Sequence, residues 1–173
     1  DFLLSLKKDV NTKSRRFGRT PLEAACYHGN RKAFDLLMEA GALVNSENKT
    51  HPLIIMSTHL EDRFATQLAE QAVIYGADFN YREERTDYTP LYAACENNKI
   101  ELVNFLTSLR CQVNTVHDNE LFETPLILAC ARDNTEIVKL LIAAGADTKY
   151  VDRFGKQAID YIKSEEIRNL LSS

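Results

Sequence analysis

Thr124-Pro125-Leu126-Ile127-Leu128-Ala129-Cys130, followed at 136–147 by Glu-Ile-Val-Lys-Leu-Leu-Ile-Ala-Ala-Gly-Ala-Asp, reads as two short helices joined by a turn. Thr124 suits the N-cap of the first helix, and Pro125 suits its first position, where the missing amide proton has no intrahelical partner to lose. Leu126, Ala129 and Cys130 share one face at helical spacing. Asp133-Asn134 interrupts the pattern. Ile137, Val138, Leu141 and Ile142 then make the apolar face of a second helix, and Gly145 closes it where a left-handed backbone is wanted. One such hairpin cannot bury both of its faces, so it needs copies of itself.

The copies are present. Thr20-Pro21-Leu22, His51-Pro52-Leu53 and Thr89-Pro90-Leu91 precede Thr124-Pro125-Leu126, and all four prolines of the chain hold this one position, at spacings of 31, 38 and 35. The closing turn recurs as Gly41-Ala42, Gly76-Ala77-Asp78 and Gly145-Ala146-Asp147, with Arg110-Cys111 in the glycine place between the last two. Two motifs repeating in phase with a period near ~33 residues resemble the ankyrin repeat, and the resemblance covers essentially the whole chain. It implies an all-α solenoid of helix-turn-helix units with short hairpin loops, about four full repeats plus partial terminal ones. The expected layout is a single domain, 1–173: a partial repeat at 1–11, repeats at 12–44, 45–79, 80–113 and 114–148, and a C-terminal capping repeat at 149–173.

Repeat two departs most. Pro52 to Gly76 spans 24 residues where the equivalent intervals span 20. The four extra residues, about one helical turn, are expected near Thr58–Arg63 as a longer helix or a bulged loop, and the short loop before Pro52 predicts a stunted finger. Asp87 and Phe122 stand where repeat one has Gly18, in loops one and two residues longer than the usual spacing, so non-standard hairpins are expected there. Repeat five replaces Thr-Pro with Gln157-Ala158 and ends in a short helix over Ser164–Leu171, capped by Ser164 with Glu165-Glu166 in its first turn. The histidine that usually follows Thr-Pro-Leu in the family is Glu23, Ile54, Tyr92, Ile127 and Asp160 here, so its hydrogen bonds between repeats must be made otherwise or lost.

Composition narrows the function. The net charge of the 173 residues is −4 and 45% of them are apolar, enough for repeats that bury themselves against neighbours. Residues 1–32 carry eight Lys/Arg against three acids, and 51–173 carry twelve against nineteen. The molecule should therefore be electrically polar from end to end. Cys26, Cys95 and Cys130 each lie five residues after a repeat proline. Equivalent positions in adjacent repeats are too far apart for a disulfide, so these read as small buried hydrophobes in a reducing compartment. Cys111 falls in a turn and is expected to be exposed. No CxxC or HxxxH pair marks a zinc site. No apolar run approaches the roughly 20 residues of a spanning helix. The chain opens on Asp1-Phe2-Leu3-Leu4-Ser5-Leu6, which reads as the tail of a helix, and the expectation is a domain of a longer intracellular protein, cytoplasmic or nuclear.

Enzyme constellations fail one by one: GxSxG, HExxH, GxGxxG and GxxxxGK[ST] do not occur. The four histidines sit in different repeats. His51 replaces a capping Thr and reads as structural, His28 as an exposed helix end, and His59, inside the insertion, receives no role. Glu83-Glu84 and Asp118/Glu120 read as solvated acidic pairs. The expectation is no catalytic residue, no metal and no cofactor. Arg15, Arg16 and Arg19 around Phe17 look like a basic-aromatic patch for nucleic acid, but they cluster on one finger, and repeats two to four supply acids where a track would need bases.

The resemblance implies protein binding by hairpin tips and the inner face of the first helices. The candidate contacts in repeat one are Arg16, Phe17, Arg19, Tyr27 and His28. Repeat two offers Glu47, Asn48 and Thr50, with Thr58 and His59 displaced by the insertion. Repeat three offers Arg85, Thr86, Tyr88, Glu96 and Asn97. Repeat four offers Glu120, Leu121, Glu123, Ala131 and Arg132, and repeat five Arg153, Phe154 and Lys156. Phe17, Tyr88, Leu121 and Phe154 are large apolar groups at positions the fold leaves exposed, and Tyr and Arg are favoured at hot spots. Phe17 and Phe154 alternatively pack onto neighbouring fingers. The face should run from basic (Arg15, Arg16, Arg19) to acidic (Glu83, Glu84, Asp87, Glu96, Glu120, Glu123), matching a protein or peptide with an acidic part followed by a basic one. The reading is a non-enzymatic, monomeric interaction domain, an adaptor or scaffold. The alternative is an intramolecular regulatory or targeting domain of a larger channel or enzyme.

Overall fold

A computed structural model describes residues 9–45, 51–84, 87–118 and 123–172. Among them are nine α-helices: α1 (Pro21–Tyr27), α2 (Arg31–Glu39), α3 (Pro52–His59), α4 (Asp62–Ile74), α5 (Pro90–Glu96), α6 (Ile100–Ser108), α7 (Pro125–Ala131), α8 (Thr135–Ala143) and α9 (Glu165–Ser172), with a 3₁₀ turn at Ala158–Asp160. The only β-pairing among these residues is a single bridge, His117 to Glu123. The all-α expectation holds. The chain divides into two compact units, Asp1–Asp78 and Phe79–Ser173. In the first, α1 packs on α2 and α3, and α3 on α4; in the second, α5 packs on α6 and α7, α6 on α8, and α7 on α8 and the 3₁₀ turn, while α9 rests on α8.

The repeated Thr-Pro does what its chemistry requires. The hydroxyls of Thr20, Thr89 and Thr124 accept the amide protons of Glu23, Tyr92 and Ile127, each with Pro at the first helical position. Glu23 completes a capping box by accepting the Thr20 amide at 2.9 Å. His51 performs the same task with a ring nitrogen, as its structural reading required: Nδ1 accepts the Leu53 amide at 3.3 Å. Its other nitrogen, Nε2, lies 3.1 Å from Asn45 Oδ1, which assigns the proton to Nε2.

The left-handed positions also fall where the phase puts them. Gly41, Gly76 and Gly145 have φ of 85°, 85° and 88°, and Arg110 takes φ 57° in the same place. Two residues beyond each of them, a backbone amide is captured by an asparagine one repeat earlier. Asn11 Oδ1 accepts Leu43 N–H, Asn45 Oδ1 accepts Asp78 N–H, Asn80 Oδ1 accepts Gln112 N–H and Asn114 Oδ1 accepts Asp147 N–H, all at 2.7–2.8 Å. The Asn45 and Asn114 amides also donate to the carbonyls of Gly76 and Gly145.

The insertion in repeat two becomes helix. α4 has 13 residues where α2, α6 and α8 have 9, and α3 has 8 where α1, α5 and α7 have 7. The turn between α3 and α4 is correspondingly tighter: Leu60 and Glu61 are extended, whereas Gly29, Asn98 and Asp133 turn the other repeats with φ of 62°, 54° and 57°. The extra turn brings Phe64 and Leu60 beneath Gly29, where a Cβ would lie 2.7 Å from Phe64 Cε1 and 3.0 Å from Leu60 Cδ2. The stunted finger expected before Pro52 lies at 46–50, outside the described residues.

Two expectations are corrected. Cys111 is buried, at 7% exposure, because it follows the left-handed turn at the position where Ala42 and Ala77 are also buried; burial pushes its thiol up to about 11. The closing bonds of the repeat-three finger are the regular ones: Glu83 N–H to Tyr88 O and Asp87 N–H to Glu83 O reproduce those of repeat one, Ser14 N–H to Arg19 O and Gly18 N–H to Ser14 O. Asp87 takes φ 55° in place of Gly18, a conformation short polar side chains tolerate. Phe122 lies outside the described residues. Cys26, Cys95 and Cys130 are free thiols in the core.

Burial holds the His51 imidazole down at about 4. The unfolded chain therefore binds more protons than the folded one between that value and the ordinary ~6.5, and stability falls as pH is lowered through the window. The full effect is at most about 3 kcal/mol. Urea denaturation of the wild type and of His51→Thr from pH 7 to pH 4 should show the wild type losing more stability than the variant; parallel profiles would remove His51 from this role.

Candidate protein-docking faces

In the first unit the finger at 12–20 and the helix that follows set the face. The closed hairpin leaves Arg16 exposed at its tip and Phe17 68% exposed, with the Arg16 guanidinium 5.1 Å from the Phe17 ring centre. Thr20 starts α1 immediately after Arg19, so the last turn of α1 returns Tyr27 beneath that side chain. The Arg19 guanidinium stands 4.1 Å from the Tyr27 ring centre. His28, the exposed C-cap of α1, meets Tyr27 edge-on at 5.0 Å, and His59, at the end of α3, lies 4.3 Å from the same ring. Burial, then the Arg19 charge, holds the His59 imidazole below its ordinary value. The finger and α1 enclose a hollow of about 720 Å³ walled by Phe17, Arg19, Pro21, Ala24, Tyr27 and His28.

Four of the five residues singled out in repeat one, Phe17, Arg19, Tyr27 and His28, wall one hollow, and Arg16 stands against Phe17 at the finger tip. The Phe17 ring contact is with Arg16 of its own finger. His59, which sequence reading left without a role, joins them. Its signal was present: His59 is seven residues after Pro52, as His28 is after Pro21, and the extra residues enter only after it. Thr58 instead turns back on its own helix, its hydroxyl donating to the Ile54 and Ile55 carbonyls. Glu47, Asn48 and Thr50 lie outside the described residues.

The second unit is organised differently. Tyr88, Tyr92 and His117 pack with ring centres 4.4–5.3 Å apart, leaving no slot between them. The Tyr92 hydroxyl donates to Glu123 Oε1 at 2.6 Å, across 31 residues. Tyr92 stands at the position where the sequence lacks the expected histidine. The Tyr88 hydroxyl donates to Glu96. Burial, then these carboxylates, pushes both phenols up. Arg132 donates to the Glu96 carbonyl and lies 3.8 Å from its carboxylate, and Asp87 pairs with Arg82 at 3.0 Å.

Three expected contacts are corrected here. Glu123 is 5% exposed, because the bridge to His117 turns it inward onto Tyr92. Tyr88 is half-buried rather than exposed, and Glu96, also half-buried, is already engaged by Tyr88 and Arg132. Asn97 donates to Ala93 O of its own helix, Ala131 is half-buried, and Arg132 is exposed. Arg85, Thr86, Glu120 and Leu121 fall outside the described residues. In repeat five, Asp152 accepts the amides of Phe154 and Lys156 and the Tyr161 hydroxyl. This leaves Arg153 exposed, Phe154 63% exposed and Lys156 over the Tyr161 ring at 5.4 Å.

The family description "Ankyrin repeats (3 copies)" matches residues 62–152, and "Ankyrin repeat" matches 17–49. The chain belongs to the ankyrin-repeat family. It is similar to the ankyrin repeat and KH domain-containing protein mask-1 of Caenorhabditis elegans, 28% identical over 172 residues, covering 84% of this chain and 6% of that protein. It is also similar to the BRCA1-associated RING domain protein 1 of the same organism, 36% identical over 101 residues, covering 58% of this chain and 14% of that one. The chain therefore spans a small fraction of these curated relatives. The crystal structure of the human ASB11 ankyrin repeat domain superposes with a TM-score of 0.79 at 26% identity, covering 98% of this chain and 74% of that one. Repeats of this family mediate protein–protein interaction. No described helix is long and apolar enough to cross a membrane.

Removing the Tyr92 hydroxyl strips a hydrogen bond from a buried carboxylate. Tyr92→Phe is expected to lower the stability of the chain in urea by about 1–3 kcal/mol, and Tyr88→Phe, at a half-buried site, by less. Equal effects would contradict the distinction between a core pair and a surface pair.

Proposed function

We propose that the chain is a non-enzymatic protein-interaction module, an adaptor or scaffold, whose partner docks on the inner face of the first unit. The observation that carries this reading is the hollow walled by Phe17, Arg19, Tyr27 and His28, with His59 beside it. A large exposed aromatic, a stacked guanidinium and a half-buried tyrosine around one depression form the kind of anchor set that dominates binding energy at interfaces. The second unit contributes Phe154 and Arg153 at its last finger and a face whose charges are partly self-neutralised through Arg82–Asp87 and Arg132–Glu96. A partner with an acidic part for the first unit and a basic part for the exposed Glu84 and Asp118 of the second fits the two faces. An intracellular setting, cytoplasmic or nuclear, suits four free, buried thiols.

A second reading is favoured by the length of the relatives, of which this chain spans 6% and 14%: the docked surface belongs to the same, longer polypeptide, and the array regulates or targets its parent.

Photo-crosslinking tests the first reading. A benzophenone amino acid placed at Phe17 or Phe154, and as control at the exposed Leu36 of α2, is irradiated in extracts of cells that express the chain. Protein adducts are expected at Phe17 and Phe154 in clear excess over Leu36. Equal yields at all three positions would contradict docking by the fingers.

A further inference from the structure

We propose that the hollow of the first unit recognises an extended acidic protein segment, Asp/Glu-rich around a single apolar anchor residue. The inference rests on the docking reading above and specifies its ligand. It starts from two arginines. Arg16 and Arg19 each stack on an aromatic ring, Phe17 and Tyr27, and neither side chain makes an ion pair or hydrogen bond among the described residues. Four other arginines are paired: Arg31 faces Asp35, Arg82 faces Asp87, Arg132 faces Glu96 and Arg168 faces Glu165.

Stacking removes the rotamer freedom that a long cationic side chain would otherwise lose on binding. It also leaves the edge of the planar fork, with its N–H donors, turned to whatever enters the hollow. That edge matches a carboxylate bidentately. Lys13 is the second cation of the lining beside Arg19, and Arg15 and Arg16 lie on the same finger. Of the acids nearby, Glu23 is buried and holds the Thr20 amide, and Asp9, the one exposed carboxylate of the lining, accepts the Asn11 amide and is outnumbered by the cations of the finger.

The floor of the hollow, between Pro21, Ala24 and Tyr27, is apolar, so one apolar side chain of the ligand has a seat between the charged walls. A nucleic-acid strand fits less well. The adjoining inner helix α3 carries no Lys or Arg, so the cations do not continue as a backbone track, and the whole chain is net negative.

The test is a selection from a random 12-residue displayed peptide library on the full 173-residue chain, followed by fluorescence anisotropy of the enriched peptides. The proposal expects Asp/Glu enrichment around one fixed aliphatic or aromatic position. It expects affinity to fall at least tenfold in Arg19→Ala and several-fold in Arg19→Lys, which keeps the charge and loses the fork. Lys32→Ala, an exposed cation on α2, should have little effect, and raising salt should weaken binding. Circular dichroism of each variant separates loss of binding from loss of fold. Enriched peptides that are neutral or basic, or that ignore Arg19, would overturn this inference while leaving the docking reading intact. No enrichment at all would overturn both. A 12-nucleotide RNA that displaces the peptides at comparable concentration would overturn it in favour of nucleic acid.

Discussion

One side-chain amide registers each repeat on the next. Asn11, Asn45, Asn80 and Asn114, spaced 34, 35 and 34 residues apart, each capture the backbone amide two residues past a left-handed turn. The amide can be caught only if the turn adopts positive φ, and the turn is worth adopting only if the helix before it has ended there. Helix length, turn conformation and repeat-to-repeat offset are therefore fixed together. Arg110 shows how strongly: it accepts φ 57°, a conformation that costs a non-glycine residue about 1–2 kcal/mol, so that Gln112 meets Asn80.

That constraint explains where the insertion went. Lengthening the first helix of repeat two by a whole turn would have moved His59 and the rest of the inner face out of phase with α1. Lengthening α4 instead leaves the inner positions in step. Tyr27 and His59 consequently meet at 4.3 Å, and the outer helix absorbs the extra length by filling the space under Gly29 with Phe64. The inner positions stay in step because the irregularity is displaced onto the other helix of the pair.

The fold was legible because its signals are local and repeated. Thr-Pro fixes a helix start through one hydroxyl and one missing proton, and a glycine in phase fixes the end, even where Arg110 takes its place. The candidate site was legible in part. Phe17 and Phe154 are exposed because they sit at hairpin tips before a left-handed glycine, which sequence position alone determines. Glu123 and Tyr88 were misjudged because their fate depends on contacts across elements: the His117 bridge turns Glu123 toward Tyr92, and Glu96 draws in Tyr88. The stacking of Arg19 on Tyr27 was invisible for the same reason, since it requires the angle at which the finger meets α1.

The account turns on recognition by the finger and inner helices of the first unit. Amide hydrogen exchange of the whole chain, free and saturated with a selected peptide, tests this most directly. Added protection is expected in residues 13–28 and at the end of α3 around His59, with the outer helices α2 and α4 unchanged. Protection concentrated on α2 and α4 would contradict the account, because it would put the partner on the opposite face.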